Sequence, residues 1–499
     1  MMNYKQLQNG SDIRGVALEG IQDEPVTLTN QAVYDLARGF ARFLRNKLGK
    51  QQLTIALGHD SRLSADSLCH SIMDGMLFEG VHILDCGLAS TPSLFMSTIF
   101  ENIQADGAIM VTASHLPWNR NGMKFFDRDG GLNKSDIATI IENAENLDAV
   151  SQPGGQQSKS NLMEVYAAHL RTIIKEGVKA ADYEQPLKGL HIVVDAGNGA
   201  GGFYATEVLA PLGADITGSQ FLEPDGHFPN HIPNPEDEKA MASICQAVKD
   251  NHADLGIIFD TDVDRSSAVD HEGNPISRNA IVALAAILAN KGHEGTTVVT
   301  DSVTSDELAE FLEKHGIHHH RFKRGYKNVI NEAVRLNAEG IDTQLAIETS
   351  GHAALKENYF LDDGAYLATK IVIQSASIRV ADLIADLKHP LEEKELRFKI
   401  KDPDFKTYGQ NVLDQLVEYV KTIDYITPSQ TNYEGYRINF DSEHGNGWLL
   451  LRMSLHDPIL PCNIESNTEG GTKQIAKELY TFLQSFDQLD LQAIESFIQ

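Results

Sequence analysis

Basic residues, cysteine and long apolar runs are all scarce in this chain of 499 residues. Lysine and arginine total 42 against 70 aspartates and glutamates, a formal charge of −28. Such a surface repels phosphate backbones and anionic lipid, so no nucleic-acid partner and no membrane partner are expected. A basic pocket inside an acidic body stays compatible with this, because local arrangement decides a site. The four cysteines (Cys69, Cys86, Cys245, Cys462) show no C-x-x-C pair and no framework spacing. Reduced thiols in a cytoplasmic protein are therefore expected. The longest apolar stretch, Ala280 to Ala289, is ten residues, whereas a bilayer span needs about 20. The start of the chain carries no apolar run of signal-peptide type. Hydrophobic residues at 42% and charged residues at 22% exclude a disordered chain, a collagen and a disulfide mini-scaffold.

What is present is an α/β pattern, in which short apolar runs of strand length alternate with longer amphipathic segments. Leu53–Leu57 runs into Gly58-His59-Asp60-Ser61-Arg62, Leu190–Val194 into Asp195-Ala-Gly-Asn-Gly199, and Thr297–Val299 into Thr300-Asp301-Ser302. Each is a strand ending in an Asp among small residues, which hints at three related units. Ser151–Ser158 has the composition of a flexible loop, and Tyr166–Glu176 that of a helix. The linker Ala181–Pro186, the restart near Ile276 and the break at Leu387-Lys-His-Pro390 suggest domains 1–180, 181–275, 276–388 and 389–499. The last is expected to be α+β, because Tyr436–Phe440, a Gly-Asn-Gly turn and Trp448–Leu451 signal a hairpin.

Four segments carry chemistry. Thr112-Ala-Ser114-His115-Leu-Pro117 leads to Asn121-Gly122-Met-Lys124 and follows the apolar run Ala108–Val111. Ser114 is thus expected on a loop at a strand's C-terminal end, where open parallel sheets bind ligands. A serine beside a histidine, with a lysine nearby, suits a nucleophile, a proton shuttle and a cation for phosphate. Asp260-Thr-Asp262-Val-Asp264-Arg265 follows Leu255–Phe259; alternate carboxylates can converge on one hard cation such as Mg²⁺. An EF-hand is excluded, since Arg265 stands where Gly is needed and His271 where Glu is needed. Glu348-Thr-Ser350-Gly351-His352 offers groups for sugar hydroxyls. Arg452-Met-Ser454 after Leu449–Leu451 suits a phosphate clamp. Arg321, Lys323, Arg324 and Lys327 form a local run of cations that suits an anion. In His318-His319-His320 neighbouring side chains alternate across a strand, so they do not converge on a metal. Taken singly, each segment also fits a plainer role: a helix-capping serine, an acidic turn, a solvated charge run, a surface arginine.

Together and in this order, the segments resemble the α-D-phosphohexomutases, the family of phosphoglucomutase, phosphomannomutase and phosphoglucosamine mutase. The resemblance starts at Ser11-Asp-Ile-Arg14-Gly15 and covers nearly the whole chain. It implies three related α/β domains with mixed sheets and a smaller C-terminal α+β domain around a central cleft. It also implies that Ser114 carries a phosphoryl group and that Asp260, Asp262 and Asp264 hold Mg²⁺ together with a phosphoserine oxygen. Arg14, His115, Lys124 and Arg265 would stabilise the moving group or handle protons. Lys327, Glu348, Ser350, His352, Arg452 and Ser454 would bind the substrate, with Arg452 and Ser454 on the non-reacting phosphate. The implied reaction interconverts hexose 1- and 6-phosphates, mannose or glucose in first place, with hexose 1,6-bisphosphate as intermediate and activator. The partner is a hexose phosphate, and the protein a monomer or homodimer. Alternatives are a phosphoglucosamine mutase, a Mg²⁺-dependent phosphatase using Ser114, and a non-catalytic sugar-phosphate binder. Two departures stand out: Leu116 replaces the usual Asn of S-H-N-P, and Leu455-His456 replaces Gly-Thr in R-x-S-G-T.

Overall fold

A computed structural model describes residues 3–148, 154–454 and 457–499. The chain forms two compact units, Met1–His293 with Thr343–Ala385, and Glu294–Asp342 with Asp386–Gln499. Residues 151–153 of the expected flexible loop, and the departures Leu455 and His456, lie outside the described residues.

In the first unit the strand Thr54–His59 lies parallel to His82–Leu88 on one side and to Gly107–Val111 on the other. Gly107–Val111 pairs antiparallel with Arg120–Asp127, which in turn takes Asp12–Val16 antiparallel. The sheet is therefore mixed, and its central strands are apolar because both faces are covered. The helix Asn30–Leu48 shows how the sequence builds a layer on it. Thr29 caps its start by accepting from the Ala32 N–H, and Gly49 ends it in the left-handed region. Val33, Leu36, Phe40 and Leu44 recur at helical spacing and pack in one core with Ile55, Leu57, Ile109 and Val111. Gly122 lets the strands close up: a Cβ there would lie 2.3 Å from the Ile13 carbonyl oxygen and 2.8 Å from that of Thr112.

A second sheet pairs Ile192–Asp195 parallel with Leu255–Phe259, which continues antiparallel to Ser266–Val269. Thr343–Ile347 and Ala353–Leu355 form a further antiparallel pair. The long apolar stretch is the buried helix Asn279–Asn290, and no helix among the described residues is long and apolar enough to cross a membrane.

In the second unit Thr297–Thr300 lies parallel to His318–Arg321. The C-terminal region is a five-stranded antiparallel sheet with the helices Phe405–Val420 and Gly471–Leu483, sharing one core. The hairpin expected around Gly-Asn-Gly pairs Tyr436–Phe440 with Gly447–Leu451. The four cysteines are unpaired.

Candidate active site

Ser114 follows the strand Gly107–Val111 on the expected loop. Its φ of +50° is a left-handed conformation that costs a non-glycine residue of order 1 kcal/mol. Its N–H is held by Thr112 Oγ1 at 2.9 Å. The Oγ donates to Asp260 Oδ2 at 3.1 Å and accepts from Arg265 Nη2 at 3.0 Å. The same Nη2 donates to His115 Nδ1 at 2.7 Å. His115 Nδ1 is therefore an acceptor and the ring is neutral; burial, then the charges of Arg265 and Arg14, lower its pKa far below the usual histidine range. In this state His115 Nδ1 accepts hydrogen bonds, and the same surroundings make the ring a weak base.

The aspartates follow the fully buried strand Leu255–Phe259. Between them, Val263 is forced to φ +66°, a strained position for a β-branched residue. That kink turns Asp260, Asp262 and Asp264 inward, so that one oxygen of each lies within 4.8 Å of the others. All three are buried. Lys124 donates to Asp262 Oδ2 at 2.8 Å and to Asp264 Oδ2. Asp262 Oδ1 and Asp264 Oδ1 are buried without a hydrogen-bond partner. Burial, then the charge of Asp264, raise the Asp260 pKa well above the carboxylate range, with Asp262 adding to the rise. Burial would raise Asp264 too, but Lys124, His352 and Arg265 outweigh it and hold that carboxyl below the usual range. Three carboxylates crowded together in a buried site, two of them with orphaned oxygens, form a donor set that fits a hard divalent cation.

Arg265 is 1% exposed and anchors the arrangement. Besides Ser114 and His115 it reaches Asp260 Oδ2 through Nε at 3.0 Å and Asn234 Oδ1 through Nη1 at 3.0 Å. The loop Glu348–His352 enters through an isolated bridge between Arg265 and His352. Gly351, at φ +94°, permits it: a Cβ would lie 2.7 Å from the Ser266 carbonyl oxygen. His352 Nδ1 lies 2.9 Å from Ser350 Oγ and 3.6 Å from Glu348 Oε2, and its Nε2 lies 3.6 Å from Asp264 Oδ1. Burial lowers the His352 pKa to about 3; Asp264 opposes the shift, and Arg265, Lys124 and Arg14 reinforce it. Arg14 pairs with Asp12 at 2.9 Å.

The first unit thus brings Ser114, His115, Lys124, the three aspartates, Arg265 and His352 into contact, with Glu348 and Ser350 against His352. Lys327, Arg452 and Ser454 belong to the second unit. There Arg452 faces Glu434 at 3.6 Å, and Ser454 Oγ accepts from the Asp457 N–H at 3.2 Å. Within the cation run, Arg321 is committed to Thr304 Oγ1, the Ser305 carbonyl and Asp306. The three histidines alternate as expected, His319 meeting Thr300 Oγ1 and His320 meeting Glu332. Sequence reasoning missed Thr91, whose N–H donates to the Asp262 carbonyl at 2.8 Å and whose hydroxyl donates to Asp262 Oδ2. It also missed Asn234. Neither lies in a motif, and nothing local marks them.

Three family models match in succession: phosphoglucomutase/phosphomannomutase alpha/beta/alpha domain I over residues 5–150, domain II over 164–273 and domain III over 277–389. A phosphoglucomutase of Neisseria meningitidis is 29% identical over 483 residues, covering 95% of this chain and 96% of the relative. A phosphomannomutase/phosphoglucomutase of Pseudomonas syringae is 28% identical over 468 residues, covering 93% and 92%. The solved structure of a phosphoglucomutase/phosphomannomutase family protein from Burkholderia thailandensis has a TM-score of 0.79 at 24% identity, covering 97% of this chain and 98% of that one, a likeness of fold. Three α/β/α domains with mixed sheets, followed by a sheet-rich C-terminal domain, define a phosphohexomutase, an enzyme of the isomerase class. The chain belongs to the phosphoglucomutase/phosphomannomutase family.

Proposed function

We propose that the protein interconverts the 1- and 6-phosphates of mannose and glucose through a phosphorylated Ser114. The observation that carries this is the Ser114 hydroxyl held between Asp260 at 3.1 Å and Arg265 at 3.0 Å, beside a buried three-carboxylate cluster. Asp260, Asp262 and Asp264 would hold Mg²⁺, which when bound neutralises charge on the phosphoryl group in flight. Ser114 gives its phosphoryl group to the free hydroxyl of a hexose monophosphate: the bond to Ser114 Oγ breaks and one to the sugar oxygen forms. The resulting hexose 1,6-bisphosphate turns over and returns its other phosphoryl group to Ser114. Arg265 steadies Oγ as charge returns to it, Lys124 adds a cation on the aspartate side, and His115 Nδ1, 3.3 Å from Oγ, offers a neutral hydrogen-bond acceptor beside it. Glu348, Ser350 and His352 are assigned to the sugar hydroxyls, and Arg14 and Lys327 to phosphate oxygens. Domain limits near residues 180, 275 and 388 go with this reading.

The relatives' names favour mannose and glucose over glucosamine as the sugar. A product assay decides: mannose, glucose and glucosamine 1-phosphates are supplied with the matching bisphosphate and Mg²⁺, and 6-phosphates and free phosphate are both measured. Mannose and glucose 6-phosphates without free phosphate are expected. Free phosphate as the main product would make the protein a phosphatase, and no product at all a binding protein.

Arg452 and Ser454 are assigned to the phosphate that is not reacting, on the chemistry of a buried guanidinium with a hydroxyl two residues on in the sequence. Arg452→Ala is expected to raise KM for every hexose phosphate about 10- to 150-fold, since a charge-assisted contact is worth roughly 1.5–3 kcal/mol. Turnover should fall as well, because binding energy far from the reacting oxygen positions it. Steady-state kinetics with unchanged KM would remove Arg452 from the clamp.

A further inference from the structure

The segment Asp60-Ser-Arg62, which follows the strand Thr54–His59, takes no part in the chemistry above, yet Asp60 and Arg62 are buried against the serine loop. The four hydrogen bonds from Nη1 and Nη2 of Arg62 all go to backbone carbonyls. Nη1 donates to the carbonyls of Pro117 at 2.8 Å and Arg120 at 2.9 Å. Nη2 donates to those of Leu116 at 2.6 Å and Ser114. Nε faces Asp60 Oδ2 at 3.4 Å. That same oxygen accepts from Thr112 Oγ1 at 2.6 Å, and Thr112 Oγ1 in turn accepts from the Ser114 N–H at 2.9 Å. Both backbone polar groups of Ser114 therefore lead back to the Asp60–Arg62 pair. The ring of Phe228, in the segment matched to domain II, lies 5.4 Å from the guanidinium carbon.

We propose that Arg62 is a positioning residue for phosphoryl transfer: by tying four carbonyls of the 114–120 loop it holds Ser114 in its left-handed conformation, with Oγ aimed at Asp260 and Arg265. The inference rests on the phosphoserine reading. The Pro117 carbonyl also receives the Arg120 N–H at 2.9 Å, but those of Ser114 and Leu116 have no backbone donor among the described residues, and buried carbonyls need donors. Arginine is the side chain with enough donors in a rigid fork to serve all four. Lysine keeps the charge but offers three donors from one point. Without the fork the strained φ at Ser114 relaxes, and a displacement of about 1 Å at a reacting atom costs on the order of 10² in rate.

The test compares full-length wild type, Arg62→Lys, Arg62→Met and Ser114→Ala. Thermal unfolding is recorded, then kcat and KM with glucose 1-phosphate, then the rate at which glucose 1,6-bisphosphate phosphorylates Ser114, followed by intact mass. Expected are a kcat lowered about 10-fold in Arg62→Lys and about 10²-fold in Arg62→Met, KM within about threefold of wild type, and phosphorylation of Ser114 slowed in parallel. If Arg62→Met does not fold, Arg62→Lys decides. Folded variants with wild-type kcat, a change confined to KM, or loss of folding in both variants would overturn the proposal. Full activity in Ser114→Ala would instead overturn the phosphoserine reading itself, whatever Arg62 does.

Discussion

Replacing Ser114 by alanine is expected to abolish mutase turnover, by about 10⁴-fold or more, while the protein still folds. The size follows from the role: in the proposed cycle Oγ is the sole carrier of the phosphoryl group, and loss of a covalent nucleophile removes the whole pathway rather than one contact. The fold should survive because the hydroxyl fills no core volume. The Ser114 N–H still reaches Thr112, and its carbonyl still receives Arg62. Alanine does lose the Asp260 and Arg265 contacts to Oγ, but Arg265 keeps its own bonds to Asp260 and Asn234. Intact mass after treatment with glucose 1,6-bisphosphate should show one added phosphoryl group on wild type and none on the variant. An alanine protein with normal turnover would end the assignment.

Asp262→Asn should be the next most damaging change, lowering turnover about 10²- to 10³-fold, the usual cost of removing one preorganised charge-stabilising group. The amide keeps an oxygen for coordination and for the Thr91 hydroxyl, so the loop geometry is preserved. What is lost is a formal charge in a cluster where Lys124 bridges Asp262 and Asp264. Half-saturating Mg²⁺ should rise, and excess Mg²⁺ should recover part of the turnover. Full activity of the variant at wild-type metal levels, or full wild-type activity after exhaustive chelation, would contradict a metal role for this loop.

The sequence made contiguous chemistry legible and left its supports hidden. Ser114 and the three aspartates were visible because each set sits at the end of an apolar strand, where backbone geometry alone carries neighbours to one loop. The C-terminal hairpin was visible for a similar reason, a glycine turn between two apolar runs. Thr91 and Asn234 were invisible: their contacts to Asp262 and Arg265 span 171 and 31 residues of chain, and nothing local forecasts such a pairing. Arg62 stood in a segment whose strand-end pattern was evident, but its partners are carbonyls, which leave no mark on residue type. Strain at Val263 was equally silent, since valine ordinarily marks extended backbone. The charge run misled in part, because Arg321 is consumed by Asp306 and its neighbours and is not offered to a ligand.

Phosphoryl flow through Ser114 is tested most directly by following the group itself. Wild-type protein is charged with radiolabelled phosphoryl from glucose 1,6-bisphosphate, freed of excess label, and mixed with unlabelled glucose 1-phosphate in Mg²⁺. The label should map to Ser114 before mixing and pass into sugar phosphates at a rate no slower than turnover. Label that stays on the protein while glucose 6-phosphate accumulates, or that leaves as inorganic phosphate, would contradict a phosphoserine mutase.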